Sequence, residues 1–374
     1  MKVALRVMPA ALLAILVLVL PAEARQSIEI ETHRVAGLAR PAEILVDQWG
    51  VPHIYARSQD DAIFAQGFNA ARDRLFQIDL WRRRGLGQLA EVLGPSYVAQ
   101  DEATRLFLYR GDMQREWRSY GTEAERIARA FTAGINAYVD FLQTHPERMP
   151  FEFRTLGYVP AKWQPEDVVR VRSHGLSRNH LGNVFKKAVL SPAAAAAMDA
   201  PDVAVVLDAL EKPDALFGAD AVARRNAVLL ESLAGAYAEL EKLQGLEPSQ
   251  WQWGRLHHTL MEHPLAAAMG EAGRAPLNVG PLPRRGGAYT PNQSTYRASD
   301  FRQTNGPSFR VVVDVGDWDN SRAVNAPGQS GNPDSPHYRD LASMWLKGDY
   351  FPLLYSHSKV LQATRQRIRL QPLN

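Results

Sequence analysis

Between residues 43 and 78 the apolar positions change period, and that change fixes the first two elements of the chain. Residues 43–56, EILVDQWGVPHIYA, form two short apolar runs around Asp47-Gln48-Trp49-Gly50, which is a β-hairpin signal. From Phe64 the spacing becomes helical: Phe64, Phe68, Ala71, Leu75 and Ile78 recur at intervals of 4, 3, 4 and 3. Ser58, with Asp61 three residues on, supplies an N-terminal capping signal for that helix.

A second helix is expected from Thr122, where Thr122 and Glu125 have capping-box spacing. Its apolar face runs through Ile127, Phe131, Ile135, Tyr138 and Leu142, and Pro146 ends it. A third helical pattern spans Ala221 to Leu243, with Leu229, Leu233, Tyr237 and Leu240 on one side. The last third changes character. Residues 308–316, SFRVVVDVG, place Phe309, Val311, Val313 and Val315 on one strand face. The turn-rich stretch NAPGQSGNPDSP follows at 325–336. Strands at both ends with helices between them define an α+β class.

Composition narrows the function. The chain of 374 residues holds no cysteine, which excludes disulfides, thiol catalysis and zinc-thiolate sites. Residues 1–24 carry Lys2 and Arg6, then an apolar run, then Ala22-Glu23-Ala24, and read as a cleaved secretory signal. The alternative is a membrane anchor, for which the run is short. Net charge is +3, and no basic block with interleaved aromatics is present, which argues against nucleic acid as a partner.

Several patterns imitate functional motifs. Gly85, Gly87 and Ala90 approximate a dinucleotide fingerprint but follow a helix, not a strand, so a helix break is expected. Ser356 and Lys359 form S-x-x-K without its companion motifs and read as a turn. Ser330 lies among turn residues in an incomplete G-x-S-x-G. His257, His258 and His263 lack metalloprotease spacing and read as structural histidines. Asp314, Asp317 and Asp319 resemble a calcium loop, yet the twelfth position from Asp317 is Gly328 and not glutamate.

Longer stretches carry a family likeness. Residues 46–94 (VDQWGVPHIYARSQDDAIFAQGFNAARDRLFQIDLWRRRGLGQLAEVLG) and 153–179 resemble the α chain of penicillin acylases, exported amide hydrolases that include acyl-homoserine-lactone acylases. Residues 205–218, 251–265 and 305–356 resemble late parts of the family's β chain. The resemblance implies a four-layer αββα sandwich of the N-terminal-nucleophile class, here incomplete. It also implies a division into a signal peptide (1–24), an α-chain-like region (25–190), an alanine-rich junction (191–204) and a late-β-chain-like region (205–374).

In the family, self-cleavage frees an N-terminal serine whose hydroxyl attacks the amide carbonyl. The serine's own α-amine, with an ordinary pKa of about 8, serves as the base. Backbone and asparagine donors hold the oxyanion. The Ser-Asn-Asn-Trp start that the resemblance leads one to seek does not occur here. Ser249 lies inside a late-β-chain block, and Ser177 and Ser191 lack the motif. The oxyanion segment is also unmatched, so no catalytic residue is assigned, and neither autoprocessing nor acylase activity is expected.

The family's calcium glutamate falls at Asn183, and a neutral amide is a poor start for a cation that takes six to eight oxygens. No metal or cofactor is therefore expected. Leu176, Asn179 and His180 fall where the family builds its acyl pocket, Leu176 for apolar contact and Asn179 or His180 for polar acyl groups; helix packing is the alternative reading. The partner implied is a small acyl amide, and the location periplasmic or secreted. Three outcomes stay open: an amide hydrolase by descent, a non-catalytic acyl-ligand-binding or scaffold protein, and a gene remnant with exposed sheet edges.

Overall fold

A computed structural model describes residues 28–172 and 219–373, apart from 246, 252, 270, 287–291 and 298. The signal peptide, the alanine-rich junction and the residues Leu176, Asn179, His180 and Asn183 lie outside the described residues.

The two ends of the chain meet in one sheet. Its order is β1 (Glu29–Val35), β11 (Thr364–Pro372), β2 (Ala42–Asp47), β3 (Pro52–Tyr55). β11 runs parallel to β1, pairing Glu29 with Gln366, and antiparallel to β2, pairing Ile368 with Ile44. β2 and β3 are the expected hairpin. Asp47 closes its turn, with Oδ1 accepting from the N–H groups of Trp49 (2.9 Å) and Val51 (3.0 Å).

On this sheet lies α1 (Gln59–Leu86). Ser58 caps it: its hydroxyl accepts from Asp61 N–H and donates to the Asp61 carboxylate at 2.6 Å. Asp61 is buried because its other oxygen accepts from the N–H of Ala39, which ties the helix start to the loop after β1. Gly87 ends the helix in the left-handed region, φ 67°, so Gly85-Gly87 is a helix stop as the sequence suggests. Past α2 (Val98–Phe107), the helix α3 (Ala124–Thr144) crosses α1 at two glycines. A Cβ on Gly134 would stand 1.9 Å from the Phe64 carbonyl oxygen, and one on Gly67 2.0 Å from that of Phe131.

The start of α3 departs from the expected capping box. Its N-cap is Glu123 in helical geometry without a side-chain cap, while Glu125 turns along the surface to Arg129. Ala124 N–H bonds the Gly121 carbonyl instead, so a backbone turn replaces the side-chain cap.

Phe64, Phe68, Ile135, Leu142, Ile44, Ile368 and Leu370 form the centre of the main core. Ile368 and Leu370 are fully buried, and each contributes about 1.5–3 kcal/mol by leaving water. The C-terminal strand is therefore an integral part of the core that the N-terminal third builds.

The remaining elements are smaller. α4 (Phe151–Leu156) and α5 (Pro165–Arg170) follow α3, and α6 (Ala219–Gln244) opens the second described part. β4 (His258–Met261) pairs with β5 (Val279–Pro283), and β6 (Thr295–Tyr296) with β7 (Gln303–Asn305). A three-stranded sheet orders β10 (Phe351–Pro352), β9 (Arg322–Asn325) and β8 (Phe309–Val312). Its core is Val324, Trp345 on α7 (Ala342–Lys347) and Phe351, against Trp49 of the first hairpin. α8 (His357–Ala363) leads into β11.

Two expected apolar faces are not covered among the described residues. Leu233 and Tyr237 on α6 are exposed, as are Phe309, Val311, Val313 and Val315.

Candidate functional site

Halfway along α1 the helix breaks its own geometry. Arg74 has φ −144° and ψ 27°, outside the helical region. The freed carbonyl of Asp73 accepts from the N–H of Gly331 at 2.8 Å. The Arg74 guanidinium donates to the carbonyls of Gly328 (2.5 Å) and Gln329 (2.9 Å). The kink thus exchanges intrahelical bonds for a clamp on the 328–331 loop, and holds that loop beside the helix.

This clamp forms one wall of a cavity of about 390 Å³. Glu31 and His33 on β1 line it, with Arg72, Asp73 and Gln77 on α1, Tyr138 and Phe141 on α3, and Arg148 to Glu152 around the start of α4. Ser330, Asn332 and Ser335 close the loop side. The lining combines aromatic surface with carboxylates and guanidiniums, the mixture that orients a small polar–apolar ligand.

Its charges are arranged in pairs. Asp73 receives Asn69 Nδ2 at 2.9 Å and Arg72 at 2.9 Å, while Arg72 also donates to Gln366 on β11 at 2.7 Å. Burial pushes the Asp73 carboxyl above the usual carboxylate range, against the pull of Arg72. Glu31 moves the other way. The His33 ring at 3.5 Å and the guanidiniums of Arg148 and Arg72 hold its carboxyl low. Burial raises the Tyr138 hydroxyl to about 12, so it stays a neutral donor.

At the floor, Glu152 Oε1 meets His263 Nε2 at 3.1 Å, and both side chains are almost wholly buried. The second Glu152 oxygen has no hydrogen-bond partner. His263 also accepts from Leu265 N–H, and its ring stacks on Phe76. It is a structural histidine, as its spacing suggests.

The two serines on the rim are occupied as acceptors. Ser330 Oγ accepts from Asn332 N–H at 3.1 Å and Ser335 Oγ from His337 N–H at 3.2 Å, which makes both of them turn serines. Asp314 likewise serves a turn, accepting from Gly316, Asp317 and Asn320. Ser356 precedes α8, and Lys359 reaches Asp319 at 3.6 Å.

Sequence reasoning placed the candidate contacts at Leu176, Asn179 and His180 and missed this cleft. The available signal was Arg72-Asp73-Arg74, a charged triplet inside an apolar helical repeat. Glu152 and His263 gave no signal, because nothing local links positions so far apart.

Comparison with known proteins agrees with the early resemblance. The penicillin amidase family profile matches residues 41–203 and 174–362, most of the chain. The chain belongs to the penicillin amidase family. Penicillin acylase 2 proenzyme of Pseudomonas sp. (strain SE83) is 36% identical over 154 residues, covering 41% of this chain and 19% of that protein. Penicillin G acylase of Escherichia coli is 34% identical over 130 residues, covering 34% of this chain and 15% of that protein. Acyl-homoserine lactone acylase QuiP of Pseudomonas aeruginosa is 38% identical over 137 residues, covering 34% of this chain and 16% of that protein. The matched region thus spans less than a fifth of each of these relatives. A solved structure of thermostable penicillin G acylase from Alcaligenes faecalis aligns at 29% identity with a TM-score of 0.36, covering 40% of this chain and 82% of that one.

Proposed function

We propose that this chain is a penicillin amidase family protein that binds acyl amides without hydrolysing them. The supporting observation is the direct passage, through the alanine tract at 193–197 and its neighbours, from α-chain-like into late-β-chain-like sequence. The serine that the family uses as nucleophile has no counterpart along that passage. A rim serine cannot replace it, since a hydroxyl without an adjacent base is a weak nucleophile. The leader sequence supports export. No helix among the described residues is long and apolar enough to cross a membrane.

Two sets of contacts are proposed for the ligand. Leu176, Asn179 and His180 are the acyl contacts that family likeness suggests. The mixed aromatic and charged cleft at Arg72, Tyr138 and Phe151 is the set that geometry suggests.

The test combines mass spectrometry, hydrolysis and thermal shift on the purified chain. Phenylacetyl and long-acyl amides are expected to raise the melting temperature without being cleaved, and the protein to remain one polypeptide after leader removal. Met149→Trp, which fills the cleft, is expected to abolish the shift if the cleft is the site. Leu176→Ala with His180→Ala is expected to abolish it if the family-like contacts are. Serine-reagent-sensitive hydrolysis or self-cleavage into two chains overturns the non-catalytic reading, and the absence of any shift overturns binding.

A further inference from the structure

The cleft beside Arg74 is lined by more carboxylates than guanidiniums. Glu31 pairs with Arg148 at 3.4 Å, and Asp73 with Arg72 at 2.9 Å. The third guanidinium on the lining, Arg154, donates to the Met149 carbonyl at 2.5 Å. Glu147, Glu152 and Asp334 line the same space and have no lysine or arginine partner among the described residues. Glu147 and Asp334 are exposed at the rim, where water screens them. Glu152, at the floor, is only 2% exposed.

Glu152 is also only half satisfied. Leu265 N–H donates to His263 Nδ1, which leaves the ring proton on Nε2 and directs it to Glu152 Oε1 at 3.1 Å. The imidazole is therefore neutral and brings no charge to the carboxylate. Glu152 Oε2 is buried and accepts nothing. Other donors around it are engaged. Tyr338, whose ring lies 6.3 Å from that of His263, gives its hydroxyl to the Leu277 carbonyl. The Arg74 guanidinium turns to the carbonyls of Gly328 and Gln329. A buried carboxylate oxygen without a donor carries its full desolvation penalty, and a group that relieves it must bring a donor and, best, a positive charge.

We propose that the ligand of this cleft is an acyl amide that also carries a primary ammonium, with the ammonium at Glu152 and the apolar part against Phe76, Phe141 and Phe151. The proposal rests on the reading of this cleft as the acyl-amide site and narrows it to cationic ligands. An ammonium is compact and has three donors, so it can meet Glu152 and still bond a neighbouring acceptor. The carboxylates of Glu147 and Asp334 attract such a cation to the mouth, and the same excess of negative charge repels a free acid. The aromatic rings supply the contact that a hydrocarbon acyl group needs.

The test is calorimetric titration of the purified chain with N-(4-aminobutyl)phenylacetamide and with N-pentylphenylacetamide, in which a methyl group replaces the ammonium. The ammonium ligand is expected to bind about tenfold tighter, which is what one charge-assisted hydrogen bond contributes. Met149→Trp is expected to abolish its binding. Glu152→Gln removes the charge and is expected to bring the two ligands to within about twofold of each other. Should that variant lose the native circular dichroism spectrum, Glu147→Gln combined with Asp334→Asn, both exposed positions, is expected to narrow the preference and weaken its dependence on salt. Equal binding of the two ligands, or tighter binding of the methyl one, overturns the ammonium and leaves the acyl-amide reading in place. Binding of neither overturns both. A preference that is unchanged in the carboxylate variants, or binding that survives Met149→Trp, also overturns the proposal.

Discussion

Glu152 on α4 and His263 after β4 form a buried contact at 3.1 Å across 111 residues of sequence. It joins the N-terminal helical part to the second described part at the floor of the cleft. Because both side chains are almost wholly buried, removing one partner strands the other. Glu152→Ala is expected to lower the unfolding free energy by about 2 kcal/mol, and Glu152→Gln, which keeps an acceptor, by about half as much. Urea denaturation of the three proteins checks this; equal losses in both variants would show that the charge, and not the hydrogen bond, carries the contact.

The Arg74 clamp makes a separate prediction about the loop. Arg74→Ala removes two charge-assisted bonds to the Gly328 and Gln329 carbonyls, and about 2 kcal/mol of stability is expected to go with them. The loop loses its tether to α1, so limited proteolysis is expected to cut first between 328 and 337. Cleavage that begins elsewhere would mean that the Gly331 bond to Asp73 suffices.

What the sequence revealed follows the range over which its signals act. The 43–56 hairpin and α1 were legible because each is specified by neighbours: turn residues, an N-cap and a 3.6-residue repeat. The capping box at Thr122 failed because Glu125 had a competing partner, Arg129, one turn away. The central place of β11 was not legible, since Gln366 finds Glu29 from the opposite end of the chain. The cleft was hidden for a related reason. Its polar residues are dispersed over β1, α1, α4 and the 330–335 loop, and only the kink at Arg74 draws them together. The strand expected to carry Phe309 to Val315 stops at Val312, because the Asp314 carboxylate accepts from the N–H groups of Gly316 and Asp317 and turns the chain; periodicity marks apolar positions without showing where the strand ends or what covers it.

The crossing of α1 and α3 depends on two missing side chains. Gly134→Ala would press a methyl group into the Phe64 carbonyl, a backbone atom that cannot rotate away. The helices must separate, opening the core around Phe64, Phe68 and Ile135. A loss of about 3 kcal/mol is expected, at the upper end for an overpacked core. Gly94→Ala provides the contrast. It has open space at its Cβ position and meets only the backbone cost of φ 93°. A milder effect at Gly134 than at Gly94, measured by thermal denaturation, would contradict the close helix crossing.

Asp319 ties the three-stranded sheet region to the entry of α8. Its Oδ1 accepts from the N–H groups of Tyr355 and Ser356, each at 2.8 Å, and Lys359 lies nearby. The backbone donors of Ser356 and Tyr355, with the Lys359 ammonium, hold its carboxyl down to about 2 from the usual 3.8. A carboxyl lowered by folding contributes stability that is fully present above its unfolded value and is lost as pH falls through the folded one. Asp319→Asn is therefore expected to melt below the wild type at pH 7. The gap is expected to narrow between about pH 4 and pH 2, where the native carboxylate takes up its proton. Melting temperatures of both proteins across that range decide the matter: a gap that stays constant would mean that the charge of Asp319 adds nothing to the bonds an amide oxygen can accept.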